Sequence, residues 1–205
     1  MKSLFGALVV LGLSIALLAR AEPPPAMERR ELTKIIAALK TKPGAKAALA
    51  SVRFYAEVLG AKELQAPVGS TLDTLGPWSD DGALLGAEQL IDRAACGPLA
   101  PAELKVASAL LTEYGDALSP TLRAYTLGQQ GKTAEASDGF AAFINAQVPE
   151  GGCPGEHPMY SYRRVARIGF ALRCVKAFSP ARDVSKLEKA LKRAEQCAKN
   201  NTAVG

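Results

Sequence analysis

Apolar residues recur at helical spacing along nearly the whole of this 205-residue chain, and no other feature restricts its fold as strongly. The first stripe, Leu32, Ile35, Ile36 and Leu39, has the steps of three and four residues that place side chains on one helix face, and similar stripes follow downstream. No stretch longer than three residues has the pattern of a β-strand. Alanine supplies much of the 48% apolar content, and it is the best helix former and a poor strand residue. The sequence predicts an all-α fold of stacked antiparallel helical hairpins, either solenoid-like or an irregular bundle.

The first 21 residues have the composition of a signal peptide. Lys2 gives a positive start, residues 4–18 are apolar, and Ala19-Arg20-Ala21 places small residues where a signal peptidase cleaves. The apolar run is shorter than the roughly 20 residues that span a bilayer. We therefore expect cleavage after Ala21 and a periplasmic or secreted protein with no transmembrane span, the alternative being a retained membrane anchor.

The 184 residues that follow are enough for a single helical domain, 22–205, with its own core. Glycine and proline predict a long connection at 61–81 and a loop at 149–158, and the last residues, 198–205, are expected to form a flexible tail.

Short polar residues and prolines predict where helices begin. Ser119-Pro120 and Ser179-Pro180 each combine an N-cap residue with a first-turn proline. Ser79-Asp80-Asp81 offers N-cap candidates at the end of the 61–81 connection, and we expect Trp78 to anchor that connection in the core.

Four cysteines, Cys96, Cys153, Cys174 and Cys197, lie in the exported part, and an even number in an oxidising compartment predicts two disulfides. In a helical hairpin that turns near Pro180, Cys197 returns to the beginning of the preceding helix, where Cys153 enters. Cys174 lies close to the bend, and pairing it with Cys197 requires roughly 15 Å of misregister. We predict Cys153–Cys197 and Cys96–Cys174.

Gly131, Ala136 and Phe140 have the spacing of a tight interhelical turn, a close contact between two helices and an apolar side chain that fills the space beyond. The same three roles fall 34 residues upstream on Gly97, Ala102 and Val106. Over residues 97–149 the chain therefore resembles tetratricopeptide repeats, whose period is 34 residues. The resemblance implies a scaffold whose stacked hairpins present a concave surface to peptides or partner proteins.

Charge is distributed unevenly along the chain. Residues 22–157 hold 12 Lys and Arg against 17 Asp and Glu, and residues 158–205 hold 11 against 3, which gives net charges of −5 and +8. This asymmetry favours an acidic partner for the basic end, or contact with the acidic part of the same molecule. The candidate binding residues are Arg163, Arg164, Arg167, Lys186, Lys189 and Arg193. A solvated helix face is the alternative, and export together with the scarcity of aromatics disfavours nucleic acid.

No motif for catalysis, metal binding or cofactor binding is present. The one histidine, His157, follows Cys153 by four residues, but an oxidised cysteine and an intervening Pro-Gly give no fixed nucleophile–base geometry. We expect a non-enzymatic scaffold or adaptor protein of the periplasm or cell envelope, without a cofactor, whose basic C-terminal hairpin contacts a protein or another anionic envelope component. The alternative is a small helical envelope hydrolase, because paired catalytic carboxylates leave no sequence signature.

Overall fold

The computed structural model describes residues 29–60, 77–148 and 153–202. These residues form eight α-helices and no strand, which confirms the all-α fold. The helices are α1 Arg29–Thr41, α2 Lys46–Arg53, α3 Pro77–Arg93, α4 Pro101–Tyr114, α5 Pro120–Gln129, α6 Thr133–Gln147, α7 Pro158–Phe178 and α8 Ser185–Thr202. A π-helical turn, Phe54–Val58, extends α2. The predicted signal peptide and its cleavage site lie outside the described residues.

The helices are arranged in two groups that share one hydrophobic core. In the first group α2 packs against α1 and α3; in the second, α5 packs on α6, α6 on α7, and α7 on α8. Helix α4 joins the groups because it contacts both the π-helical turn and α5, and α3 joins them again by packing on α7. This is the predicted stack of helical hairpins.

Aromatic rings fill the space where α5, α6 and α7 meet. Phe140 is fully buried and packs edge-on against Phe170, with ring centroids 5.9 Å apart, and stacks on Phe178 at 6.3 Å. Phe178 also lies 6.2 Å from the ring of Tyr125. Gly128 makes this arrangement possible, because a Cβ atom there would lie 2.5 Å from the Phe178 ring. A glycine on α5 thus allows the end of α7 to approach.

The hairpin of α5 and α6 contains the repeat-like residues Gly131, Ala136 and Phe140. Gly131 adopts a φ of 81° at the turn, and both Ala136 and Phe140 are fully buried. Upstream, the predicted close-contact residue Ala102 is exposed on α4, which packs against α5 and the π-helical turn, so the role predicted for Ala102 is wrong. The kinship with tetratricopeptide repeats stays a prediction.

Both predicted disulfides are present. Cys96 is bonded to Cys174 and Cys153 to Cys197, with Cα–Cα distances of 5.3 and 5.1 Å. The second bond ties the segment before α7 to the last turns of α8, as expected for an antiparallel hairpin. The first bond joins the turn after α3 to α7 and so links the two groups of helices.

Two predicted boundaries were wrong. Helix α3 begins at Pro77, so Ser79-Asp80-Asp81 lies in its first turns instead of capping it; proline is favoured at the first helical position, and aspartates stabilise the positive end of a helix dipole. The predicted anchoring role of Trp78 concerns a side chain outside the described part of the structure. Helix α8 continues to Thr202, so residues 198–202 are not a tail. Asn201 holds this last turn by donating from Nδ2 to the carbonyl oxygen of Pro154 (3.1 Å).

One predicted helix start is confirmed and the other is wrong. The Leu122 amide donates to Ser119 Oγ at 3.3 Å, so Ser119 caps α5 as expected. Ser179, by contrast, lies at the C-terminal end of α7, and α8 starts at Ser185, whose amide donates to Asp183 Oδ1 at 2.9 Å. This bond holds the pKa of the Asp183 carboxyl below its usual value.

Candidate functional site

The outward face of α8 is basic. Five of its side chains are exposed lysines or arginine, namely Lys186, Lys189, Lys192, Arg193 and Lys199. With 3.6 residues per turn, they fall within one arc of roughly 140°, opposite the buried face that contains Leu187 and Ala194. The two glutamates of this helix lie together on one flank. One of them, Glu188, forms an ion pair with Lys176 of α7, with 2.8 Å between Oε1 and Nζ. The arc itself contains no acidic residue.

The arginines of α7 are engaged within the molecule. Arg167 Nε contacts Glu88 Oε2 at 3.0 Å, and the Glu88 side chain is only 2% exposed. Thr121 Oγ1 donates to the other oxygen of Glu88 at 2.6 Å. Arg164 Nη2 donates to Glu156 Oε2 at 2.6 Å. These guanidinium groups therefore hold α7 against the acidic part of the chain.

The six predicted anion-binding residues do not form one surface. Arg167 faces α3, whereas Lys176, nine residues later and half a helical turn out of phase, faces α8. Arg163, Arg164 and Arg167 consequently lie on the side of α7 away from α8, while Lys186, Lys189 and Arg193 belong to the outward face of α8. Lys192 and Lys199 were missed by sequence reasoning, although their spacing places them opposite the apolar stripe of α8.

Two more ion pairs join basic side chains of residues 158–205 to acidic side chains elsewhere in the chain. Arg173 Nη2 donates to Asp92 Oδ2 at 2.6 Å, and Arg182 Nη1 donates to Asp138 Oδ1 at 2.6 Å. The acidic partners come from α3 and α6, in the net negative part of the chain. Contact with the acidic part of the same molecule was one of the two predicted alternatives, and it accounts for much of the basic charge around α7. The basic residues on the outward face of α8 are exposed to solvent.

Arg163, Arg164 and Arg167 also line a recess of about 200 Å³ beside α3. Leu84 and Leu85 form its apolar side, and Tyr160, Gln147 and Glu156 complete it. We call this the arginine recess. It brings the three predicted arginines together, although on the opposite side of α7 from the lysines with which they were grouped.

A larger groove, of about 750 Å³, opens among α4, α5, α6 and α7. The side chains that line it are mostly apolar, and they include Leu111, Pro120, Ala124, Leu127, Ala142 and Phe143. Arg123, ion-paired with Asp116, lies at the groove as well. Gln147 and Arg167 line both this groove and the arginine recess.

The Cys153–His157 pair has a structural role. Cys153 is oxidised, and His157 is the N-cap residue of α7, with Nδ1 accepting from the Met159 amide at 3.3 Å. The described residues include no group of three or more His, Cys, Asp or Glu side chains placed to hold a metal ion.

In the described ranges, no helix combines the length and apolar character needed to cross a membrane. No protein-family model matches the chain, and no curated protein or solved structure shows significant similarity to it.

Proposed function

We propose that this protein is an exported, non-enzymatic scaffold or adaptor, and that the outward face of α8 captures an anionic component of the cell envelope. The observation that carries the proposal is the arc of five exposed basic side chains with no acidic residue inside it. Such a face attracts an anionic surface over a distance set by the ionic strength.

The contrast between α7 and α8 supports a binding role over simple solubility. Basic side chains on and just after α7 lie against carboxylates of the same chain, at Glu156, Glu88, Asp92 and Asp138. On α8 both glutamates are exposed but lie together on one flank, beside the basic arc. Charges scattered for solubility would place both signs within the same arc.

Two disulfides support an oxidising compartment. Structural disulfides persist in the periplasm and outside the cell and are rare in the cytosol. Together with the signal-like residues 1–21, the bonds Cys96–Cys174 and Cys153–Cys197 favour export.

The test is a triple charge reversal on α8, in which Lys186, Lys189 and Lys192 become glutamate. These three side chains are exposed, and Arg193, which has an interaction of its own, is left unchanged. The matched control reverses three exposed lysines elsewhere, Lys46, Lys105 and Lys132. Each triple variant changes the net charge by six units, so general electrostatics are equal in the two proteins.

Pull-down from envelope extracts, with each purified protein as bait, provides the measurement. Wild type and control should retain the same anionic partner, and the α8 variant should lose it. Retention should also fall as ionic strength rises from about 0.01 M to about 1 M, because the Debye length shortens from about 30 Å to about 3 Å. If the α8 variant folds and still retains the partner, the outward face of α8 is only a solvated surface and does not bind it. Turnover of peptidoglycan by the wild type would favour the hydrolase instead.

A further inference from the structure

We infer that the groove among α4–α7 and the arginine recess form one binding site for a single-chain amphiphile with an anionic head group. The apolar chain would lie in the groove, and a terminal carboxylate or phosphate would lie among the arginines. This site is separate from the outward face of α8, which lies on the other side of α7.

The two cavities adjoin each other. Gln147 and Arg167 line both of them, and the Arg167 guanidinium lies 5.0 Å from the centre of the Phe143 ring. Phe143 is a wall of the groove and only 6% exposed. The apolar surface therefore passes directly into a cationic one, which is the polarity that an amphiphile requires.

The groove suits an unbranched hydrocarbon chain. Its volume of about 750 Å³ lies within the roughly 300–1,000 Å³ of small-molecule sites. Small residues on α6, Gly139, Ala142 and Ala146, leave the space open, while Leu111 and Leu127 line it from α4 and α5. Covering these side chains with hydrocarbon removes apolar surface from water, which favours binding.

The arginine recess suits an anion. Three guanidinium groups line it, two of them ion-paired with Glu156 and Glu88, so the arginines exceed these carboxylates by one positive charge. Glu156 and Glu88 hold Arg164 and Arg167 in place through Nη2 and Nε respectively, and each guanidinium has five N–H groups. Donors held in a fixed geometry bind carboxylate and phosphate oxygens with little loss of side-chain entropy.

The experiment uses cis-parinaric acid, a fluorescent long-chain carboxylate, titrated into the purified protein. Wild type should bind it saturably. Ala142→Trp and Ala146→Phe fill the groove from exposed helix positions and should each raise Kd more than tenfold. Ala109→Trp, at an exposed position of α4 outside the groove lining, is the matched control and should leave Kd unchanged.

Arg163→Gln tests the head-group contact. It removes one guanidinium from the recess and leaves the Arg164–Glu156 and Arg167–Glu88 ion pairs in place. We expect Kd to rise about tenfold, since a charged hydrogen bond to a ligand is typically worth at least that factor. Melting curves identify any variant that fails to fold. If one of the two groove variants does not fold, the other one tests the groove.

Competition with alkyl carboxylate, alkyl phosphate and alkanol of equal chain length identifies the head group. The proposal is supported if either anion displaces the probe at least tenfold more strongly than the alkanol does. The anion that competes more strongly then shows whether the natural head group is a carboxylate or a phosphate. Equal competition by the alkanol would overturn the role of the arginines. Absence of saturable binding to wild type, or unchanged binding to both folded groove variants, would overturn the site.

Discussion

Ala95 and Cys96 have positive φ angles of 50° and 56°, in the left-handed region that non-glycine residues rarely adopt. The next residue, Gly97, is held by two side chains of α5, because Tyr125 Oη and Gln129 Nε2 donate to its carbonyl oxygen at 2.9 and 3.0 Å. Burial raises the pKa of Tyr125 to about 12, so its hydroxyl stays a donor well into the alkaline range. These bonds and the Cys96–Cys174 disulfide stabilise a turn that its own residues disfavour.

Replacement of Ala95 by glycine should relieve this strain. A left-handed alanine costs about 1–2 kcal/mol, and glycine adds about 0.5–1 kcal/mol of unfolded-state entropy. Ala95→Gly should therefore leave the free energy of unfolding unchanged or raise it by up to about 1.5 kcal/mol. Ala109→Gly, at an exposed position inside α4, should lower it by about 0.5–1 kcal/mol. Urea denaturation of both variants measures the difference. Equal destabilisation by the two would show that the turn is not strained.

The Ser-Pro pattern predicted a helix start correctly at one of its two occurrences. Ser119 caps α5, but the same Ser-Pro pattern at Ser179 lies after α7, because the amide of Arg182 donates to the Ser179 carbonyl oxygen and closes a turn before α8 begins. Asp183 then interacts with the start of α8. His157 was not predicted as a cap because histidine is not among the preferred N-cap residues.

Helices α3 and α7 meet through three successive links. Glu88, Asp92 and Cys96, at intervals of four residues, contact Arg167, Arg173 and Cys174 respectively. The links differ in burial: Glu88 is 2% exposed, whereas the Asp92 and Arg173 side chains are 31% and 53% exposed. Of the two ion pairs, only Glu88–Arg167 is therefore expected to contribute strongly to stability when it is broken.

Arg167→Met should destabilise the protein by about 3–5 kcal/mol, because it breaks the ion pair between Arg167 and the buried Glu88 carboxylate. The double variant Glu88→Gln, Arg167→Met should recover most of that loss, since no uncompensated charge remains. Arg173→Met is the exposed control and should cost less than about 1 kcal/mol. Urea denaturation of the three proteins provides the comparison. If Arg167→Met were as mild as Arg173→Met, Glu88 would not depend on this arginine.

Periodicity predicted which face of each helix is buried but not which helix it meets. The stripe of α1 is buried at Leu32, Ile35 and Leu39 as expected, whereas the ion pair between Glu88 and Arg167 joins residues 79 positions apart. The groove was missed for a related reason. Small residues such as Ala142 and Ala146 read as ordinary helix formers in sequence, and only the packing of α4–α7 shows that they leave space.

For the whole chain, the charge asymmetry of −5 and +8 predicted contact with an acidic partner or with the acidic part of the same molecule, and the structure shows the second of these around α7. The basic residues around α7 neutralise acidic side chains of the fold, and those on the outward face of α8 are exposed. Sequence alone could not separate these groups, because both lie in the same basic segment and differ only in which helix they face.

The two disulfides should contribute differently to the stability of the whole molecule. Cys96–Cys174 spans 78 residues and joins the two groups of helices, whereas Cys153–Cys197 spans 44 and closes only the last hairpin. Loop entropy makes the longer link more stabilising by about 0.5 kcal/mol. Loss of the shorter link can also be absorbed locally, since it first frees the end of α8 and the segment before α7.

We therefore expect replacement of Cys96 and Cys174 by alanine to lower the free energy of global unfolding by about 2–4 kcal/mol. Replacement of Cys153 and Cys197 should lower it less, while amide hydrogen exchange accelerates in the last turns of α8, where Asn201 contacts the carbonyl oxygen of Pro154. Denaturant unfolding and residue-resolved exchange of both double variants give the two measurements, and wild type unfolded under reducing conditions sets the limit for loss of both bonds. A larger global loss from the Cys153 and Cys197 variant, with exchange in α8 unchanged, would show that the last hairpin and not the α3–α7 link holds the molecule together.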